Sequence, residues 1–233
     1  SEKATYYTSL GYYDEKGNVQ GVEANRLNMV LKTSYKINKM LKVGASLFAN
    51  RRKSKANLTD KDGFTNLVYY SRRANPYQTP YDENGNYVYD IDIQGKGDSD
   101  LMFNVFEERN NTSYEQTTNA LSAIFDVELR FNDRFKATSQ VGMQLDAVSK
   151  ESIADHDTYA MRKDKEFTTI ASLGNKSFLP DGGKHTEAAN TNSQINWKTQ
   201  AEYRDSYNDI HEFEMMAGTE IRKTWYNSLN STG

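Results

Sequence analysis

The chain has 233 residues, a net charge of −3 and no cysteine, and its mean hydropathy is −0.86. That excludes disulfides, thiolate metal sites and thiol nucleophiles, and it leaves no basic footprint for nucleic acid. No stretch is apolar enough to cross a membrane as a helix, but a β-barrel remains open, because its strands are half polar and its outer loops polar throughout.

The first predicted strand runs over about 4–13, followed by a middling loop from Asp14 to Asn25. The second, about 26–37, places Leu27, Met29, Leu31, Thr33, Tyr35 and Ile37 on one face and Asn28, Lys32, Ser34 and Lys36 on the other. A period of two means one greasy face and one wet face. A soluble strand keeps this up for about five or six residues. Here it lasts about ten or more, the span a tilted strand needs to cross a bilayer. The tight turn Asn38-Lys39-Met40 leads to a third strand, about 41–52, with Leu41, Val43, Ala45, Leu47 and Ala49 on its greasy face.

A long loop, Lys53 to Thr117, follows. Phe64, Leu67, Val68 and Ser71 at helical spacing predict a short helix ending before Pro76. Tyr81 to Tyr89 reads as a hairpin with an Asn84-Gly85 turn. Leu101-Met102-Phe103-Val105-Phe106 suggests a second helical turn.

Strands are then expected at about 118–131 and 135–149, joined by Asn132-Asp133-Arg134, and at about 193–204 and 210–224, joined by Asp205 to Asp209. Between the two pairs lies a second long loop, Lys150 to Asn192, with a β-turn at Pro180-Asp181-Gly182-Gly183. A few residues break register: Val30, Phe48, Ile124 and Met216 fall on the wet face, Ser139 and Thr199 on the greasy one. Short turns fall at one end of the sheet and longer loops at the other, the asymmetry of outer-membrane barrels. Tyr35, Phe131, Phe135 and Tyr203 near the turns, and Tyr12, Tyr13 and Trp225 near the loops, suggest two aromatic girdles.

Chemistry-bearing residues are sparse. Asp155-His156-Asp157 lies in a polar loop with no nucleophile motif. His185 reads as part of a Gly-rich turn, and His211 opens a strand. Glu212 and Glu214 share a strand face, but glycoside hydrolysis needs two carboxylates that face each other. Asp82 to Asn86 resembles half a calcium loop and lacks the closing glutamate. Asp90, Asp92, Asp98 and Asp100, around Gly95 and Gly97, are a candidate calcium set in an extracellular loop; no other cofactor is expected. Arg51-Arg52-Lys53 and Arg72-Arg73 are small basic groups that could meet lipid phosphates or simply face solvent. The loop tyrosines Tyr69, Tyr70, Tyr77, Tyr81, Tyr87 and Tyr89 are the candidates for contact with substrate or partner. Aromatic faces stack on sugar rings and peptide side chains and keep a hydroxyl for a hydrogen bond. The alternative is that they pack the loop against itself; the two readings balance for Tyr77 and Tyr81, and packing is favoured for the rest.

Tyr6-Tyr7-Thr8-Ser9-Leu10-Gly11-Tyr12, then Gly17 and Gly21, Arg26-Leu27-Asn28 and Leu41-Lys42-Val43-Gly44-Ala45 resemble SusC/RagA-type TonB-dependent outer-membrane transporters at the point where the barrel begins. Asn75-Pro76-Tyr77 and Pro80 to Tyr87 resemble a loop of that family. The resemblance implies a large barrel in the bacterial outer membrane, not an enzyme. Such a barrel pairs with a SusD-like lipoprotein and imports oligosaccharides or peptides with energy from TonB. No TonB box, plug or C-terminal barrel strand is recognised in residues 1–233. With its start at Ser1-Glu2-Lys3 and its polar end at Asn230-Ser231-Thr232-Gly233, the chain is expected to be a partial barrel domain.

The expectation is thus an all-β, antiparallel transmembrane barrel segment of about seven long strands, with short periplasmic turns, long extracellular loops and outer-membrane lipid around it. The alternative is a soluble secreted β-sheet module that binds glycans or adheres. A secreted glycan-cleaving enzyme is a third class.

Overall fold

The computed structural model describes residues 3–57, 66–89, 103–156, 158–161, 182–207 and 211–233. Seven strands, β1 (Ala4–Lys16), β2 (Glu23–Lys36), β3 (Leu41–Ala56), β4 (Thr112–Arg130), β5 (Phe135–Ala154), β6 (Lys184–Tyr207) and β7 (His211–Thr232), form one sheet in chain order. Every neighbouring pair is antiparallel. The sheet is open, with β1 and β7 at its edges.

The registers carry the apolar alternation across every strand. Directly paired residues share a face, and one such row reads Tyr6, Thr33, Ala45, Phe125, Val141, Trp197 and Ile221. The neighbouring row on the opposite face is polar at most positions: Lys32, Ser46, Ile124, Gly142, Asn196 and Arg222. The expected apolar faces therefore merge into one continuous surface. Its belt runs on β3 from Leu41 to Ala49, roughly 27 Å of strand, or roughly 20 Å in height at a barrel's usual tilt. That is close to the apolar band of about 25 Å on membrane barrels.

Asparagine closes both short turns that are described. The Asn38 side chain accepts from the backbone N–H of Met40 and Leu41, each at 2.8 Å. Asn132 does the same for Arg134 and Phe135, at 2.9 and 2.8 Å. These Asx contacts replace the hydrogen bonds the turning backbone lacks. Beside them Phe131 and Phe135 pack with ring centroids 5.3 Å apart, and Phe135 pairs with Tyr203. Of the expected loop-side aromatics, Tyr12 and Trp225 lie on the apolar face. Tyr13 does not: it pairs with Arg26 on the polar face, whose guanidinium stands 5.8 Å from its ring.

Every strand is longer than its alternation predicted, mainly at the loop end. β4 begins at Thr112, not near 118, and β6 at Lys184, not near 193. Above the apolar belt both faces turn polar, so the period of two fades while the backbone ladder continues. Ion pairs support the extension: Glu115 bridges Lys53 at 2.8 Å and Lys55 at 2.7 Å. The loop between β1 and β2 shrinks accordingly to 17–22, closed by the Gly17 N–H on the Val22 carbonyl at 2.8 Å. At its far corner Gly21 takes φ of +89°, and a Cβ there would sit 2.8 Å from the Asn57 side chain, so glycine is required. β7 extends at its loop end through Thr232, and β6 alone also lengthens at its turn end, absorbing Asp205 to Tyr207.

Candidate functional site in the loop cluster

Among the described residues, the fully buried side chains, Phe103 and Thr158, are not under the sheet but among the loops. The helix α1 (Leu67–Ser71) is capped by Asn66, whose side chain accepts from Val68 and Tyr69 N–H. Phe64 of the expected helix lies outside the described residues. The second helix, α2 (Val105–Asn111), starts later than Leu101 and runs directly into β4. Asn104 sets that start. Its oxygen accepts from Phe106 and Glu107 N–H at 2.9 and 3.2 Å, and its nitrogen donates to the Pro80 and Val88 carbonyls, each at 2.8 Å. One buried amide thus uses both its donors and its acceptor and pins the 80–88 segment to α2.

Phe103 is 0% exposed. Tyr70 meets its ring edge-on at 5.2 Å and Tyr159 at 5.3 Å. The buried carboxylate of Glu108 accepts the N–H of Tyr159 at 2.6 Å and of Ala160 at 3.2 Å. These donors begin the helical turn at 159–161, where backbone N–H groups lack partners and favour negative charge. The Asp155 N–H also donates to the Asn111 carbonyl at 2.9 Å. The two long loops are thereby fastened to each other.

This packing sorts the six candidate tyrosines. Tyr81 lies between Tyr87 at 5.4 Å and Phe106 at 5.7 Å. Tyr87 also accepts from Asn110 at 3.4 Å. Tyr89 donates to Glu107 at 3.1 Å. Tyr70 is held against Phe103, and Tyr69 carries the Arg73 guanidinium at 4.6 Å. Tyr77 alone of the six presents nearly its whole surface, at 92% exposure. Its backbone is nonetheless fixed: the Tyr77 N–H donates to the Asn75 side chain at 3.1 Å, and the Gln78 side chain donates to the Tyr89 carbonyl at 3.1 Å.

Asp82 to Asn86 forms a turn with a single bridge between Tyr81 and Tyr87, shorter than the hairpin expected. Asp82 fills its own loop. It accepts the Asn84 and Asn86 N–H at 2.9 and 2.8 Å and the Asn86 side chain at 2.9 Å, while Gly85 takes φ of +85°. These bonds, the Asn86 side chain foremost, hold the Asp82 carboxyl below the usual carboxylate range. A lowered folded value means a contribution that is complete above the ordinary pKa of about 3.9 and fades as pH falls through the lowered one. The protection of the Gly85 amide, its exchange rate relative to the intrinsic rate at each pH, should therefore hold down to about pH 4 and fall below it. Asp82→Asn should flatten that dependence; an unchanged profile would detach the turn from this carboxylate.

The calcium candidates Asp90, Asp92, Asp98 and Asp100 lie outside the described residues, as does Asp157. His156 sits beside Asp155, its Nδ1 2.8 Å from the carboxylate. His185 is in strand β6, not a glycine turn, because the ladder with β5 continues past it. Its Nε2 lies 3.1 Å from Glu151 and 3.6 Å from Glu187, and the three groups could supply donors to one divalent cation. Glu214 is taken up by Arg204 at 2.7 Å. On the polar face Asn28, Val30, Phe48, Asn50, Ser122 and Asp146 line a shallow depression of about 300 Å³. Asn50 donates there to Asn28, and Lys32 stands 5.2 Å from the Phe48 ring. Val30 and Phe48, two of the four apolar exceptions on this face, are paired with each other.

No protein-family profile matches the chain. In sequence it is 22% identical over 229 residues to a TonB-dependent receptor of Formosa agariphila, a match taking in 97% of this chain and 19% of that protein. In fold it is similar to the RagAB peptide transporter, with a TM-score of 0.69 at 17% identity over 99% of this chain and 24% of that one. The open-open state of the RagAB peptide importer gives a TM-score of 0.68 at 16% identity over 100% of this chain and 24% of that one. The chain resembles TonB-dependent receptors of the SusC/RagA type. The SusC/RagA resemblance read from the strands and loops thus holds in both sequence and fold. The relatives named are a receptor and transporters, not enzymes. The SusC/RagA-like segment spans about a fifth to a quarter of their length.

Proposed function

We propose that residues 1–233 form part of the barrel domain of a bacterial outer-membrane, TonB-dependent nutrient importer. The observation that carries this is the single, predominantly apolar face shared by all seven strands, in which Ser139, Thr199 and Thr219 are uncharged exceptions and Lys223 of the edge strand β7, 5.1 Å from the Trp225 ring, is a charged one. A soluble sheet must bury such a face under a second layer. Among the described residues nothing lies over it, and Leu121, Phe125, Trp197 and Ile221 remain exposed. Lipid is the medium that suits it. The opposite, charged face then lines the lumen, the short turns are periplasmic and the loop cluster is extracellular. The substrate is an oligosaccharide or a peptide, the loops meet a SusD-like lipoprotein, and TonB acts through other parts of the importer.

Within this reading Tyr77 is the contact residue of the loop cluster, because its ring is presented while its backbone is held. Tyr77→Ala in the full-length importer should leave folding within about 0.5 kcal/mol of wild type. It should weaken uptake or lipoprotein association roughly 5- to 30-fold, the usual effect of removing an aromatic anchor. Nutrient uptake, pull-down of the lipoprotein and a heat-modifiability gel together check this. Normal uptake and normal association would make Tyr77 an ordinary surface residue. A protein that partitions to the soluble fraction would overturn the barrel reading itself.

A further inference from the structure

On the apolar face, at the loop-side limit of the belt, lies a depression of about 340 Å³. Leu10, Met29, Ala49, Leu121 and Leu145 occupy one row across β1 to β5. A single methyl at Ala49 amid four long side chains makes the hollow, and Ala147 widens it one row above. A second apolar depression, of about 460 Å³ and flanked by Tyr6 and Phe125, continues it toward the turns. From the Arg51 row to the Phe125 row the two cover roughly 20 Å of strand.

Arg51 stands at the loop-side end of this track. Its row contains Tyr12, Leu27, Asn119, Ala147, Thr191 and Asn227, with no acid among them. Among the described residues no ion pair involves Arg51. The next two rows up this face mix signs: Asp14 and Lys53 share one, and Lys16, Glu23, Lys55, Glu115, Glu151 and Glu187 the other. Arg51 is thus the cation at the end of the greasy track with no acid in its own row. A guanidinium offers forked donors that match two phosphate oxygens.

We propose that this track holds an acyl chain of a phosphate-bearing lipid, with Arg51 on its phosphate. The inference rests on the barrel reading above. Its two ends fit one amphipathic occupant: the track lies along the strands, from the water-side rim to the middle of the belt, as a lipid lies in its leaflet. A protein segment would need partners along the track for its own backbone groups, and the track offers apolar side chains.

The test is native mass spectrometry of the full-length importer in detergent, with dioleoyl phosphatidic acid and dioleoylglycerol as probes of equal chain and unequal charge. Wild type should retain the phosphatidic acid roughly tenfold more than the glyceride, the scale expected of a charge-assisted bond. Arg51→Gln should erase that preference and Arg51→Lys should restore part of it. Ala49→Trp, which fills the hollow, should reduce retention of both lipids. Equal retention of the two lipids by a normally heat-modifiable wild type would overturn this proposal and leave the barrel standing. Displacement of phosphatidic acid by millimolar inorganic phosphate, with the glyceride unaffected, would reduce the site to a phosphate site and also overturn it. Loss of heat-modifiability in wild type would instead overturn the barrel reading on which the proposal rests.

Discussion

Arginine at Phe125 is expected to block assembly of the protein in a membrane, and arginine at Ile124, one residue earlier, to be tolerated. Both are apolar, both lie on β4, and they point to opposite faces. Phe125 sits in the central row of the apolar belt, with Ala45 and Val141 beside it. A charge at the midplane of a barrel's lipid face costs about 2–4 kcal/mol, and loss of the ring adds to that. Ile124 faces Ser46 and Gly142 on the other side, with Asp126 two residues along the same face. A guanidinium there meets water and a carboxylate. Leu121→Arg, at the loop-side limit of the belt, should cost only about 0–1 kcal/mol, because the penalty falls toward the interface. Urea unfolding in lipid vesicles, read on a heat-modifiability gel, measures the series. Equal costs at 124 and 125 would mean that the sheet has no lipid side.

The alternation made the strands legible because lipid or a core on one face and water on the other is a constraint that every second residue must obey. Where that constraint lapses, so did the reading. Thr112 to Thr117 has no apolar alternation and reads as loop, yet the ladder with β5 runs through all of it. Lys184 to Asn192 is the same case on β6. Backbone hydrogen bonding carries these extensions and leaves no mark in hydropathy. The second helix begins at Val105, later than the apolar run from Leu101 implies, because Asn104 caps it. Asn104 followed three residues later by Glu107 is a capping signal, and it dates the helix start correctly. The tyrosines were legible as a cluster but not as individuals. Which of them would be absorbed depended on Phe103, Phe106 and Glu107, and on a partner loop some fifty residues away in the chain.

Breaking the tie between the two long loops should unfasten them without unfolding the sheet. Phe103 is wholly buried between Tyr70 and Tyr159, so Phe103→Ala should cost the loop cluster about 3–5 kcal/mol, the range for a buried aromatic truncated to alanine. Glu108→Ala removes the acceptor of two backbone N–H groups. Leaving such donors buried and unpaired costs about 1–3 kcal/mol. Glu108→Gln keeps an oxygen but loses the charge, so it should fall between wild type and Glu108→Ala. The damage stays local for a structural reason. The sheet is held by six antiparallel ladders that owe nothing to Phe103 or Glu108, and the loop cluster joins it mainly where α2 runs into β4. Hydrogen exchange of the full-length importer should show lost protection at 159–161 and 104–108, with β3 to β6 as slow as in wild type. If Tyr77 does its work from this platform, uptake should fall in step with that loss although Tyr77 itself is untouched. Retained protection at 159–161 in both alanine variants would show that other contacts bind the loops together. Loss of protection throughout β4 would show that the loop cluster is part of what folds the sheet.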